Sequence, residues 1–382
     1  MTLLERHETQ IGVFEPKWIR VWSTHKGQGE PQVYSPYFPS QKAGSWLYAL
    51  QAAKTSATLY GIWLGHVYYW HVVSAAMQRT MHETLPSEHP VYKLLEPQSS
   101  YLIGFDYVLF DGAPFPLNQV INFAAIAPPS RIADVDSFLK LTDRFAAGRL
   151  FFDDDPKTEL AKNGLNQADF TREKPWDCYP AAQNLLRLWD ICERYMSVSV
   201  THTYPNDGAV ATDSALQSWM KAAADTDQGN IRGLPVMDSR TALIRVLTSL
   251  VYRYTAHGIS NLNRTANPAL TFVANFPPCL QREDIPGFAS NPGTQELLQY
   301  LPNTGTIADL LKFYFVFVFS KPYVPLIPPG EYAGQSAIAH ELPFAGGIIE
   351  EARNAALAKF RLEMIEFMGQ ENIGQWPSNI EL

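Results

Sequence analysis

The chain has 382 residues, 46% hydrophobic and 18% charged, so it can form a large core and does not read as disordered. Its formal net charge of -8 argues against a nucleic-acid partner, because phosphate binding needs a clustered basic surface. Cys178, Cys192 and Cys279 have no paired spacing, which predicts reduced thiols. With no signal-peptide pattern and no transmembrane segment, we expect a cytoplasmic protein.

The first half of the chain contains the strongest helical signal. Residues 1–45 are rich in Pro, Gly and aromatic residues without a helical period, which predicts an irregular N-terminal arm. Residues 46–84 contain no proline and are apolar nearly all round, which is typical of a long helix buried in the centre of a protein. Pro86 and the pair His89-Pro90 end this helix.

The remaining segments predict connections and further helices. Pro-rich residues 114–134 and the run Asp153-Asp154-Asp155-Pro156 are interpreted as connections, the second as a solvated acidic turn. Helical periods recur over 181–198, over 213–224 with Asp213 as N-cap, over 239–263, and over 347–368. No composition break separates them, so we predict one all-α domain over 46–382.

Two histidines lie five residues apart inside the buried helix, His66 and His71. Five residues of a regular α-helix turn through about 500°, which leaves the two side chains about 140° apart. A π-bulge has a wider turn and would bring both positions nearly onto one face, and such bulges concentrate at functional sites. Paired histidines in a buried helix are more often hydrogen-bonded core residues than metal ligands, so this pair alone does not establish a metal site.

Two further features are compatible with metal binding. His257 and Asn261 are four residues apart, which a plain α-helix places on one face, although a core histidine near a helix end gives the same pattern. The chain finishes on the apolar Leu382, which is compatible with a tail buried in the core. A buried terminal carboxylate would need a cation.

Several sequence blocks occur in an order that resembles the lipoxygenase catalytic domain. A His-Pro block follows His71 by eighteen residues, and later blocks precede His257 and the chain end. The resemblance covers 46–382, and its blocks are His89-Pro90-Val91-Tyr92-Lys93-Leu94-Leu95, Leu185-Leu186-Arg187-Leu188-Trp189-Asp190, Tyr204 to Asp207, Asp213-Ser214-Ala215-Leu216-Gln217-Ser218-Trp219 and Arg353-Asn354.

The resemblance implies an all-α catalytic domain, built around the long buried helix, that acts as a dioxygenase. It implies a mononuclear non-heme iron, or manganese as in some members. A ferric hydroxide would take a hydrogen atom from a polyunsaturated fatty acid or similar diene, and O2 would add to the carbon radical. The implied ligands are His66, His71, His257, Asn261 and the main-chain carboxylate of Leu382.

The sequence departs from the family pattern in places that bear on the substrate. We expect the N-terminal lipid-binding β-sandwich to be absent, and Leu109 or Phe110 to occupy the position that gates oxygen and substrate access. Ile62 and Arg264 stand where the family has a glutamine pair. A lipoxygenase-fold oxidase acting on a small non-fatty-acid substrate of secondary metabolism is the alternative, and a non-catalytic helical binding protein is a third.

Overall fold

A computed structural model describes residues 2–6, 14–23, 32–33, 37–40, 43–99, 140, 143–144, 146–164, 180–266 and, apart from 357, 361 and 365, 355–366. The described part is mostly helical, as the sequence predicts. Its principal helices are α1 (Ala43–Tyr60), a π-helix (Gly61–Val73), α2 (Ser74–Thr84), α3 (Pro90–Ser99), α4 (Pro156–Lys162), α5 (Pro180–Thr203), α6 (Asp207–Ala211), α7 (Ser214–Ala224) and α8 (Arg240–Ala266).

Short antiparallel strands refine the expected irregular arm. β1 (Thr2–Arg6) pairs with β2 (Phe14–Ile19), and β3 (Trp22–Ser23) pairs with β4 (Gln32–Val33). The β1–β2 register shifts between Leu3 and Leu4, and β2 contains Pro16, which cannot donate to the ladder. Strands this short and irregular give no sustained alternation in the sequence. The boundary between arm and catalytic domain at residues 45 and 46 stays a prediction.

The long central helix predicted over 46–84 is confirmed, with a change of hydrogen-bond repeat in its middle. α1, the π-helix and α2 follow one another without a break and end at Thr84, before Pro86. The Ser74 hydroxyl donates a hydrogen bond of 3.1 Å to the carbonyl oxygen of Tyr69 at the transition into α2. On α2, the carbonyl oxygen of Met77 accepts a 3.1 Å bond from the Trp219 indole nitrogen of α7.

Helix α8 runs through the main hydrophobic core. The predicted apolar face is confirmed, because its residues are all at most 4% exposed: Leu243, Val246, Leu247, Leu250 and Tyr254. The helix packs against α5, α3 and the π-helix. In the late helical segment, Phe360 is buried and its ring centroid lies 4.7 Å from that of Tyr195 on α5. No helix within the described ranges is both long and apolar enough to cross a lipid bilayer.

Asp213 joins three segments at the start of α7. Its carboxylate accepts the N-cap bond from the Leu216 amide at 3.0 Å, the Tyr204 hydroxyl at 2.7 Å and a bond with His89 Nε2 at 3.0 Å. The Nδ1 atom of His89 accepts the amide of Val91 at 3.2 Å, so this ring caps the first turn of α3. Burial opposes ionisation of Asp213, but the Leu216, Tyr204 and His89 bonds hold the pKa of its carboxyl below the usual value.

Asp213→Ala should reduce the free energy of unfolding by about 2 kcal/mol at neutral pH, because it removes a helix cap and two side-chain partners. A carboxyl group whose pKa is lower in the folded state stabilises the folded protein at pH values above its unfolded-state pKa. This contribution is lost as the pH falls through the folded-state pKa. The deficit of the variant should therefore shrink below about pH 4. Urea unfolding of both proteins between neutral pH and pH 3 measures this difference in unfolding free energy.

The matched control is Asp227→Ala, which changes an exposed aspartate in the turn after α7. We expect its unfolding free energy to stay within about 0.5 kcal/mol of the unmodified chain. Equal losses in the two variants would contradict the role given to Asp213.

Candidate metal centre

The early histidine pair lies within a π-helical backbone. His66 and His71 are both inside Gly61–Val73, where backbone hydrogen bonds run from residue i to residue i+5. Their sequence separation of five equals this repeat, so positions 66 and 71 stand one turn apart on the helix. The wider turn that the pair would need to share one face is therefore present at the place where the sequence requires it.

The side chain of His71 is buried inside the protein. The residue is 1% exposed, and its neighbours along the helix, Tyr69 and Val73, are 2% and 4% exposed and belong to the main hydrophobic core. A neutral imidazole is a common metal ligand, and burial keeps competing water away from its nitrogen atoms. The described environment of His71 thus suits a ligand of a dry metal centre.

The second candidate pair belongs to α8. His257 and Asn261 both fall in the last part of Arg240–Ala266, and the α-helical backbone puts positions 257 and 261 one turn apart. Because α8 packs against the π-helix, the elements that carry the two pairs are neighbours in the fold. The structure describes the backbone of His66, His257 and Asn261.

An ionic cluster lies between these two helices. Arg253 of α8 is completely buried, and its Nε donates to Asp154 Oδ2 at 2.8 Å while Nη2 donates to Oδ1 at 2.5 Å. Next to it, Asp155 is 3% exposed and accepts a 2.7 Å hydrogen bond from Ser249 of α8. The expectation of a solvated acidic turn at 153–156 is therefore wrong, because two of its carboxylates turn inward onto α8.

Burial and ion pairing set the protonation of this cluster. Burial raises the pKa of Asp155 to about 7, although the Ser249 hydrogen bond and the Arg253 charge act in the opposite direction. For Arg253, burial lowers the pKa, but the attraction of Asp154 outweighs it and the net shift is upward. Arg253 thus stays charged, and Asp154 is its principal counter-ion.

The other predicted residues are described less fully. Leu109, Phe110 and Leu382 lie outside the described residues, and so do Cys178 and Cys279. Within the part of the chain that is described, no three His, Cys, Asp or Glu side chains form a metal-binding group, and His71 is the candidate ligand whose side chain that part includes. Cys192 is buried and does not belong to a disulfide.

Sequence reasoning missed the Arg253 cluster, although a signal was present. Arg245, Ser249 and Arg253 recur every four residues of α8, which places three polar side chains along one row. Ser249 and Arg253 of this row are buried and need polar or charged partners, which Asp155 and Asp154 supply.

The sequence of this chain is similar to those of known proteins. The family model described as Lipoxygenase matches residues 158–307. "Lipoxygenase 3, chloroplastic" of Arabidopsis thaliana is 24% identical over 323 residues, which cover 81% of this chain and 34% of that protein. "Polyunsaturated fatty acid (12S)/(13S)-lipoxygenase, epidermal-type" of Rattus norvegicus is 24% identical and is matched over 70% of this chain and 38% of its own length.

Solved structures show the same fold. A fungal lipoxygenase from Fusarium graminearum matches all of this chain with a TM-score of 0.72 at 18% identity, over 62% of its own chain. Coral 8R-lipoxygenase also gives a TM-score of 0.72 at 18% identity, over 54% of its chain. The chain thus spans 34% and 38% of the length of the two curated relatives above. On these matches, the chain is similar in sequence to lipoxygenases and has the fold of part of their catalytic region.

Proposed function

We propose that this chain provides the catalytic centre of a lipoxygenase-type dioxygenase, an oxidoreductase that adds O2 to a polyunsaturated fatty acid. The observation that carries the proposal is the π-helix over Gly61–Val73, because its i+5 repeat matches the spacing of His66 and His71. Its contact with α8, which carries His257 and Asn261, adds the second pair to the same region of the fold.

The proposed ligands are those expected from the sequence: His66, His71, His257, Asn261 and the main-chain carboxylate of Leu382. Imidazole, amide and carboxylate donors suit a mononuclear non-heme iron or manganese ion. When bound, such a metal supplies a one-electron oxidant together with a base that removes hydrogen from the substrate. The burial of His71 and the absence of thiolate from the donor set are consistent with this metal.

The residues of the chain itself would hold and enclose the reacting groups. The π-helical backbone fixes the separation of the early pair, and the buried Tyr69 and Val73 beside it form apolar surroundings that exclude water. An apolar substrate is compatible with such walls. Leu109 and Phe110 stay predictions as substrate contacts, and a cytoplasmic location stays a prediction as well.

The first test measures metal content. The purified chain should contain about one iron or manganese ion per molecule. His257→Ala should hold less than about a tenth of that amount, because a site for a first-row metal loses most of its affinity when one imidazole ligand is removed. The control is His202→Ala, an exposed histidine near the end of α5. Equal metal content in both variants would exclude His257 as a ligand.

The second test measures oxygen uptake on linoleic acid by metal-quantified protein. We expect uptake together with a conjugated-diene hydroperoxide, one O2 consumed for each product formed, and a loss of at least about a hundredfold in His257→Ala. The His202→Ala variant should keep the full rate. Metal-loaded protein that consumes no oxygen with linoleic acid would contradict the fatty-acid proposal and favour the small-substrate oxidase.

A further inference from the structure

Three residues of α8 contact a single loop, residues 150–155. Arg245 Nη2 lies 3.8 Å from Asp155 Oδ2, and its guanidinium carbon lies 3.9 Å from the ring centroid of Phe152. Ser249 donates to the other oxygen of Asp155. Arg253, one turn further, binds Asp154. The three α8 residues follow each other at intervals of four, so they form one row along the helix.

The same row continues into the proposed metal ligands. Position 257 is the next in the interval of four after Arg253, and position 261 is the one after that. Because i and i+4 positions are neighbours on a helix, Arg253 is the residue of this row that directly precedes the ligand positions. Whatever fixes Arg253 in rotation and along the helix axis also fixes the two ligand positions that follow.

Arg253 is the most constrained member of the row. Its side chain is 0% exposed, and two of its nitrogen atoms, Nε and Nη2, engage both oxygens of Asp154. Nη2 also donates to the carbonyl oxygen of Phe151, whose ring centroid lies 4.2 Å from the guanidinium carbon. A planar fork that binds a carboxylate through two bonds has a defined orientation, unlike apolar packing.

The guanidinium also reaches the π-helix. Its carbon lies 5.6 Å from the ring centroid of Tyr69, which is two residues before His71. The hydroxyl of the same tyrosine donates a 3.3 Å bond to the carbonyl oxygen of Leu150, in the loop that holds Arg253. Arg253 therefore lies where three segments meet: the loop, the π-helix and α8.

We propose that Arg253 is a positioning residue whose guanidinium, held by Asp154, fixes α8 against the π-helix and so sets the separation between the His66–His71 pair and the His257–Asn261 pair. This inference rests on the proposed function for the identity of the ligands. Arg253 would act through the helices and would touch neither the metal nor the substrate.

The physical basis is the orientation of a buried charge. Apolar side chains constrain the register of a packed helix only through the fit of their shapes, because hydrophobic contacts themselves have no preferred direction. A buried guanidinium cannot leave its carboxylate without exposing both groups to an apolar surrounding. The Arg253–Asp154 pair therefore permits one register of α8 relative to the loop and, through Tyr69, relative to the π-helix.

The test uses Arg253→Lys, which keeps the positive charge and removes the planar fork. In the metal-free full chain, hydrogen exchange of the backbone amides at 254–266 should accelerate by about tenfold, while exchange in α5 stays unchanged. The control is Arg245→Lys, which alters a side chain that contacts the same loop, through a 3.8 Å ion pair and the Phe152 ring, but is 53% exposed. The control should exchange like the unmodified chain.

A second readout separates positioning from general stability. In iron-loaded protein, Arg253→Lys should release the metal to a chelator about tenfold to a hundredfold faster and give an altered ferric electron paramagnetic resonance spectrum. The Arg245→Lys control should leave both unchanged. If Arg253→Lys fails to fold, Asp154→Asn, which keeps Arg253 and the shape of its partner, undergoes the same measurements with the same expected results.

The outcomes separate the two proposals. An unmodified chain that binds neither iron nor manganese overturns the proposed function and with it the role of Arg253 at the ligands. The positioning role alone is overturned if the unmodified chain binds iron and Arg253→Lys has the same hydrogen exchange, metal release rate and spectrum as that chain. Faster exchange, faster release and an altered spectrum together support it.

Discussion

Backbone hydrogen bonding from residue i to i+5 over Gly61–Val73 is the constraint on which the centre of this fold depends. An α-helical backbone would leave positions 66 and 71 on different faces, whereas the π repeat puts them one turn apart. The same segment joins α1 to α2 without a break, so it also sets the direction in which α2 continues toward Trp219. The π-helix thus determines both the spacing of the two histidine positions and the packing of α2.

A second determinant is the charge buried between the helices. Most of the core around α8 is apolar, and apolar contacts alone specify contact area better than they specify register. Arg253 and Asp154 add a directional contact at the junction of α8, the π-helix and the loop before α4. Asp155, held by Ser249, adds a polar contact one turn away on the same side of α8.

The sequence predicted those features that depend on local periodicity. The long helix over 46–84, the cap by Asp213 and the apolar face of α8 all follow from side-chain spacing within one element, and the structure confirms them. Spacing alone also raised the possibility of a π-bulge at His66 and His71. The full 13-residue length of the π-helix could not be predicted, because both helix types accept the same apolar residues.

Features that depend on distant partners escaped prediction. The run Asp153-Asp154-Asp155 has the composition of a surface turn. Asp155 is buried in the protein interior only because α8 packs against this run, and the same packing buries Arg253, which binds Asp154. Similarly, the pairing of β1 with β2 depends on contacts between strands too short to give a pattern. Such residues are determined by tertiary structure, which a one-dimensional pattern does not contain.

The π-helix also has a consequence for insertions and deletions. A histidine spacing of four would suit an ordinary α-helix, so deleting one residue between His66 and His71 would leave that pair on one face of a regular helix. Residues beyond the deletion would, however, change their rotation about the helix axis, because the π and α repeats differ in the number of residues per turn. The Met77 carbonyl would then turn away from the Trp219 indole, so the length of this segment is constrained by α2 as well as by the histidines.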